Sequence, residues 1–205
     1  MDSLENSFAN ITCKSSTSFL NDSISSFNES TDLTINENEL EKISHKFYDL
    51  LKESTMRRVR NLPKLCKACN YQKGHKLTSE RCSHAKVAVL FSGGVDSTVL
   101  AAMADLCIPQ HEEIDLLNIA FENQKKNNNQ EKIDDFLVPD RVSGLKSLSE
   151  LNPKRKWNFV EINIKVEELR KERDDLIKHL LFPHQTVLDD SIGCALWFAS
   201  RGKGN

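Results

Sequence analysis

VAVLFSGGVDSTVL, residues 87–100, is the stretch whose reading decides the fold. Val87–Phe91 is a short β-favouring run, and Ser97–Cys107 has the apolar spacing of a helix that Pro109 would end. Between them stand two adjacent glycines, an acid and two serines, none of which a core needs. At a strand-to-helix junction they make chemical sense. Gly93 and Gly94 remove Cβ atoms, so the backbone can turn tightly and approach a ligand. The N–H groups of residues 92–97 then point outward at a helix N-terminus, where the dipole favours an anion. Ser92 and Ser97 add hydroxyls. Asp96 would repel a phosphate unless a cation stands between, and Mg²⁺ shared by Asp96 and phosphate oxygens resolves the conflict. The bland reading of the same residues is a glycine turn with a capping side chain.

Outward from this loop the pattern alternates. Asp115–Phe121 (DLLNIAF) reads as a second buried strand, residues 122–138 as a polar, flexible insertion, and residues 141–151 as a helix. The strand Trp157–Ile164, the helix Val166–Leu181 and a helical run in SIGCALWFAS follow, with Asp189 and Asp190 placed like N-caps. Strand–helix alternation of this kind predicts an α/β domain with a parallel sheet and flanking helices. In such a sheet the loops at the carboxyl ends of the strands form the ligand crevice.

Upstream, residues 1–36 are polar, Ser/Asn-rich and aperiodic and read as a disordered tail. Leu40, Ile43, Phe47, Leu50, Leu51, Val59 and Leu62 fall near a helical period, with Asn38 and Glu41 as cap and partner and Pro63 as a stop. Residues 37–85 thus form a linker helix followed by a Cys/His-rich segment. Net charge is −2 overall, but residues 1–56 carry −6 and residues 57–86 carry +8. So dense a basic block either steers toward a polyanion or is a solvated linker face, and the second reading is preferred to nucleic acid.

With 39% hydrophobic and 28% charged residues, and neither a membrane-length apolar run nor a signal-peptide pattern, a cytoplasmic protein is expected. The six cysteines then read as thiols or metal ligands. Cys66-x₂-Cys69-x₁₂-Cys82-x-His84, with His75 between, has workable spacing for tetrahedral Zn²⁺, although C-x-H is not a standard second pair and a linker can hold cysteines idly. Cys107 and Cys194 lie in apolar helical runs and read as core; Cys13 lies in the tail.

The loop is not a Walker A motif, whose lysine and spacing are missing, nor a G-x-G-x-x-G fingerprint. SGGVDS after a β-run resembles the PP-loop of ATP pyrophosphatases (adenine nucleotide alpha hydrolase-like). KFYDLLKESTMRRVRNLP (46–63), IDLLNIAFE (114–122), PDRVSGLKSLSELNP (139–153), KWNFVEINI (156–164) and PHQTVLDDSIGCALWFASRGKG (183–204) resemble the asparagine synthetase domain-containing protein 1 family. The resemblance implies that residues 86–205 are the N-terminal part of an ATP-binding, asparagine-synthetase-like domain. It also implies an amide ligase of asparagine biosynthesis. Aspartate would attack the α-phosphorus of ATP, pyrophosphate would leave, and ammonia would displace AMP from a β-aspartyl adenylate.

Carried over residue by residue, Ser92, Gly93, Gly94, Asp96 and Ser97 would hold pyrophosphate and Mg²⁺, and Leu90 with the backbone near Ile119 and Ala120 would border adenine. Asp189 and Asp190 are candidates for a substrate or cation role or else helix caps. Arg141 and Arg201 are candidates to meet an anion or else surface arginines. The family's glutaminase domain begins with a cysteine after Met1, whereas Asp2 stands here. A further Gly-Ala-Asp-Glu-like loop would lie past Asn205. The expectation is therefore a chain truncated at both ends that carries no ammonia source. The alternatives are a catalytically silent nucleotide-binding or interaction module, and a tRNA thiolase, which needs cysteines close to the nucleotide.

Overall fold

The computed structural model describes residues 36–66, 69, 82, 84–123, 135–184 and 186–204. The tail, Cys13, His75 and most of the polar insertion lie outside the described residues. The chain divides into two compact units, Met1–Leu51 and Lys52–Asn205.

Helix α1 spans Glu37–Val59. Its cap is Asn36 and not Asn38: Asn36 Oδ1 accepts the Asn38 N–H at 3.2 Å, which places Asn38 inside the first turn. Glu37 and Glu39 then sit at the positive end of the helix and Arg57 and Arg58 at the negative end. In the first unit, Leu40, Ile43, Phe47 and Leu50 are all exposed.

The second unit is built on a parallel sheet of β1 (Val87–Leu90), β2 (Ile114–Phe121) and β3 (Trp157–Ile164), in sequence order. Val87 pairs with Ile114 and Leu90 with Leu117, while Ile114 pairs with Trp157 and Phe121 with Ile164. Helix α2 (Val95–Cys107) crosses from β1 to β2, and α3 (Pro139–Leu148) from β2 to β3. After β3 come α4 (Val166–Glu172), a π-helical turn over Arg173–Ile177, α5 (Lys178–Leu181) and α6 (Val187–Ser200). The helix anticipated over Val166–Leu181 is thus interrupted by one wide turn.

Strand alternation divides the core in two. Ile114 and Leu116 point to a cluster with Phe91, Ala101, Ala104, Ile108 and Leu151. Leu117, Ile119 and Phe121 point to the opposite cluster with Ile162, Ile164, Ile177, Cys194 and Phe198. Each face therefore excludes water from the ladder between the strands. Strand β1 departs from the expected buried strand: Ala88 and Leu90 are exposed, because α6 covers β2 and β3 on that face.

Two arginines, Arg141 and Arg155, are buried. Arg155 donates to the Asp105 carboxylate and to the carbonyls of Asp105, Ile108, Pro109 and Glu112, at 2.6–3.1 Å for the carbonyls. It thereby pins the turn from α2 into β2. Lys86, just ahead of β1, pairs with Glu112 of that turn at 2.6 Å.

Candidate nucleotide site

The glycine loop leaves the carboxyl end of β1 and opens α2. Gly94 is the N-cap of α2, with φ −72° and ψ 166° and no side-chain cap. The helix begins at Val95, two residues before the expected start, because Gly94 O accepts the first helical bonds, from Thr98 N at 3.0 Å and Thr98 Oγ1 at 2.9 Å. Among the described residues, no acceptor takes the N–H groups of Val95, Asp96 or Ser97, the orphan donors of a helix start. The two serines shape the loop from inside. Ser97 Oγ accepts the Gly93 N–H at 3.2 Å and donates to Gly94 O at 3.0 Å. Ser92 Oγ accepts the Gly94 N–H at 3.4 Å.

Gly93 carries the conformational demand, with φ +82°. A Cβ there would lie 2.3 Å from Gly144 N and from Ser143 C, so the loop rests directly on the backbone of α3. Ser147 Oγ on the same helix donates to Gly93 O at 2.8 Å. Gly144 in turn faces Asn118, whose Nδ2 would be 2.6 Å from a Cβ at position 144.

Asn118 is wholly buried in β2. Its amide donates to Phe91 O at 2.8 Å and Asp140 O at 3.1 Å, and its Oδ1 accepts from Arg141 Nε at 2.7 Å. One amide thus ties the end of β1 to the start of α3, and every part of it is bonded, as burial of a polar group requires. Sequence reasoning missed Asn118, Gly144 and Ser147. The available signal was a lone Asn in the otherwise apolar DLLNIAF and the small residues of RVSGLKS.

Of the anticipated residues, Ser92, Gly93, Gly94, Asp96 and Ser97 come together in one loop. Asp96 and Gly94 are exposed, and no cation pairs with Asp96 among the described residues. Leu90 borders the loop with its side chain 43% exposed on the bare face of β1. Ile119 and Ala120 lie on β2 just past the point where β1 ends. The Ile119 side chain packs into the second core cluster, and Ala120 is buried.

Asp189 and Asp190 are engaged elsewhere. Thr186 is the N-cap of α6: its Oγ1 accepts the Asp189 N–H at 3.1 Å and donates to Asp189 Oδ2 at 2.6 Å. The expectation that either aspartate caps the helix is corrected, since both stand inside its first turn. Asp190 takes Arg173 Nε at 2.7 and 2.9 Å, which raises the Arg173 pKa through that hydrogen bond. Arg141 is buried and committed to Asn118, to Asn163 Oδ1 at 2.7 Å and to Glu161. Arg201 pairs with Glu168 at 2.7 Å and lines a 250 Å³ cavity with Asn163, Ile164, Phe198 and Lys203.

The four expected zinc ligands do converge. The ligand atoms of Cys66, Cys69, Cys82 and His84 all lie within 4.8 Å of one another, and the cysteines are free thiols. The Cys69 N–H on Cys66 Sγ brings the Cys66 thiol down to about 7, while the hydrogen bond with Cys66 pushes Cys69 up to about 11. Strand β1 separates this cluster from the glycine loop. Cys107 and Cys194 belong to α2 and α6; Cys194 is buried.

The arrangement defines an α/β domain with a glycine-rich turn at the carboxyl end of its first strand. Its relatives narrow that class. The chain is 43% identical to the asparagine synthetase domain-containing protein 1 of Gallus gallus over 80% of its own length and 30% of that protein's. It is 41% identical to the Mus musculus protein of the same name, over 95% and 34% respectively. It is also 43% identical to asparagine synthetase domain-containing protein CG17486 of Drosophila melanogaster, over 82% and 29%. The chain therefore belongs to the asparagine synthetase domain-containing protein 1 family, and it spans about a third of the length of these relatives. No family model matches the chain. No solved structure matches it either.

Proposed function

We propose that residues 86–204 hold the pyrophosphate of ATP for an asparagine-synthetase-type amide ligase, the chemistry that the relatives' names point to. The observation that carries this reading is the start of α2. Free N–H groups at Val95, Asp96 and Ser97 and the Cβ-free tip at Gly93 and Gly94 surround an exposed Asp96 carboxylate with no cation beside it. The donors favour an anion, the carboxylate a cation, and Mg·ATP supplies both.

In this reading the orphan amides and the Ser92 hydroxyl bind phosphate oxygens, while Ser97, whose hydroxyl donates to Gly94 O, holds the loop in shape for them. Asp96 holds Mg²⁺, which neutralises charge as pyrophosphate leaves. Leu90 offers apolar surface to adenine beside β2. The buried Asn118 fixes the loop before any ligand arrives, so no binding energy is spent on ordering it. Arg141, bonded on all sides, serves the scaffold rather than the ligand. The aspartate and ammonia steps belong to the proposal for the whole protein.

A thiolase draws less support. Its cysteines would have to meet the nucleotide, whereas the Cys66–His84 cluster stands at the far end of β1 and Cys194 is buried in the core. A silent nucleotide-binding module shares the loop and differs only in turnover.

The test is calorimetric titration of the chain with ATP, with and without Mg²⁺. Binding that requires Mg²⁺ and weakens at least tenfold in Asp96→Ala is expected; unchanged affinity removes Asp96 from the site. Aspartate-dependent pyrophosphate release then separates a ligase from a silent module.

A further inference from the structure

We infer that Cys66, Cys69, Cys82 and His84 form a closed structural Zn²⁺ site that anchors the amino end of β1, distinct from the candidate nucleotide loop at its carboxyl end. The geometry supports the assignment in three ways.

The ligand spacing fits. With Zn–S near 2.3 Å and Zn–N near 2.0 Å, tetrahedral coordination places neighbouring ligand atoms roughly 3.5–3.8 Å apart. His84 Nδ1 lies 3.6 Å from Cys66 Sγ and 3.3 Å from Cys69 Sγ. All four ligand atoms fall within 4.8 Å of one another.

The sulfurs also receive backbone donors. The Cys69 N–H points to Cys66 Sγ at 3.4 Å, and the Cys66 N–H points to Cys82 Sγ at 3.1 Å. Cys82 N in turn donates to Lys64 O at 3.3 Å, which closes the segment on itself. Amides aimed at sulfur stabilise thiolates, the form that binds metal, and the sequence around them is strongly basic. Three sulfurs and one imidazole suit Zn²⁺ and exclude the hard cation Mg²⁺.

Position supplies the role. His84 stands three residues ahead of Val87, and four strand residues at about 3.3 Å each separate that end from the glycine loop. A metal there touches no ligand of the loop. Four protein donors leave no open coordination position, which marks a structural rather than a catalytic metal. The site clips Cys66, which follows α1, to the residues that lead into the sheet, beside the Lys86–Glu112 ion pair.

The experiment uses the chain expressed without a histidine tag and kept reduced. Elemental analysis is expected to find about one zinc per chain. Titration of the metal-free chain with Co²⁺ is expected to give the visible bands of tetrahedral Co²⁺ and thiolate charge transfer, both erased by one equivalent of Zn²⁺. Cys82→Ser is expected to weaken zinc binding beyond the roughly 10–100-fold that even outer-shell changes cause, while Cys107→Ser retains the metal. Zinc well below one per chain after reconstitution, Co²⁺ spectra without thiolate bands, or equal zinc in the Cys82 and Cys107 variants would each overturn the assignment. Because the Co²⁺ titration is read on the unaltered chain, a variant that fails to fold does not decide the matter.

Discussion

Gly93 and Gly144 meet backbone to backbone: the space a Cβ would occupy at Gly93 is already taken 2.3 Å away by the Gly144 amide nitrogen. The loop and helix α3 therefore form one rigid piece. Gly93→Ala should cost about 3 kcal/mol or more, from the positive φ and from a clash with backbone that cannot rotate away. Gly94→Ala is the contrast. Its φ is negative and only Ser92 Oγ, at 3.5 Å, is near the added methyl. The cost should be about 1 kcal/mol or less, while Mg·ATP binding, where the methyl meets the ligand, should fall. Paired denaturant melts and titrations separate the two; equal destabilisation would contradict the packing.

Asn118 offers a second test. Asn118→Ala strands Phe91 O and Arg141 Nε, and unpaired buried groups cost about 1–3 kcal/mol each. A loss of about 3–4 kcal/mol in denaturant unfolding is expected, together with weaker Mg·ATP binding in whatever fraction stays folded. Asn118→Asp should fare no better, because an acceptor would face two carbonyl oxygens.

The Asp105–Arg155 pair is buried on both sides. Removing one partner leaves the other charge stranded, at about 3–5 kcal/mol. Asp105→Ala should therefore melt far below Asp174→Ala, whose partner Lys178 is exposed and whose loss should change stability little. Thermal melts of the two variants settle the comparison.

Burial also raises the Cys194 thiol above its usual range, so less thiolate is present at neutral pH. Alkylation of the native chain followed by peptide mass spectrometry should find Cys194 unmodified until denaturant is added. Rapid labelling under native conditions would show that the second core cluster opens readily.

Much of this was legible in the sequence, and the remainder was not for physical reasons. Trp157–Ile164 could be read to the residue because both faces of β3 meet apolar neighbours and Ile164 is followed at once by a helix. SGGVDS announced its turn because adjacent glycines and small hydroxyls have little use in a core. Asn118 was invisible as a functional residue, since its value lies in three partners drawn from β1 and α3. Arg141 and Arg155 were hidden likewise: a charged residue is buried only when its partners converge, and convergence is a property of three dimensions. Local competition decided the caps. Asn36 and Thr186 stand two and three residues ahead of Asn38 and Asp189, and each takes that residue's amide in the first turn.

One backbone bond has a bearing on how the glycine loop is seated. The Asn123 N–H reaches Asp135 O at 2.9 Å, drawing together the exit of β2 and the approach to α3. This bond acts as a neck. Asn118 stands on β2 and Gly144 and Ser147 on α3, so the two elements that seat the glycine loop are fastened to each other at this end by their own backbone. A displacement of α3 at this end is therefore carried into β2 as well, and the loop they hold shifts with both or with neither.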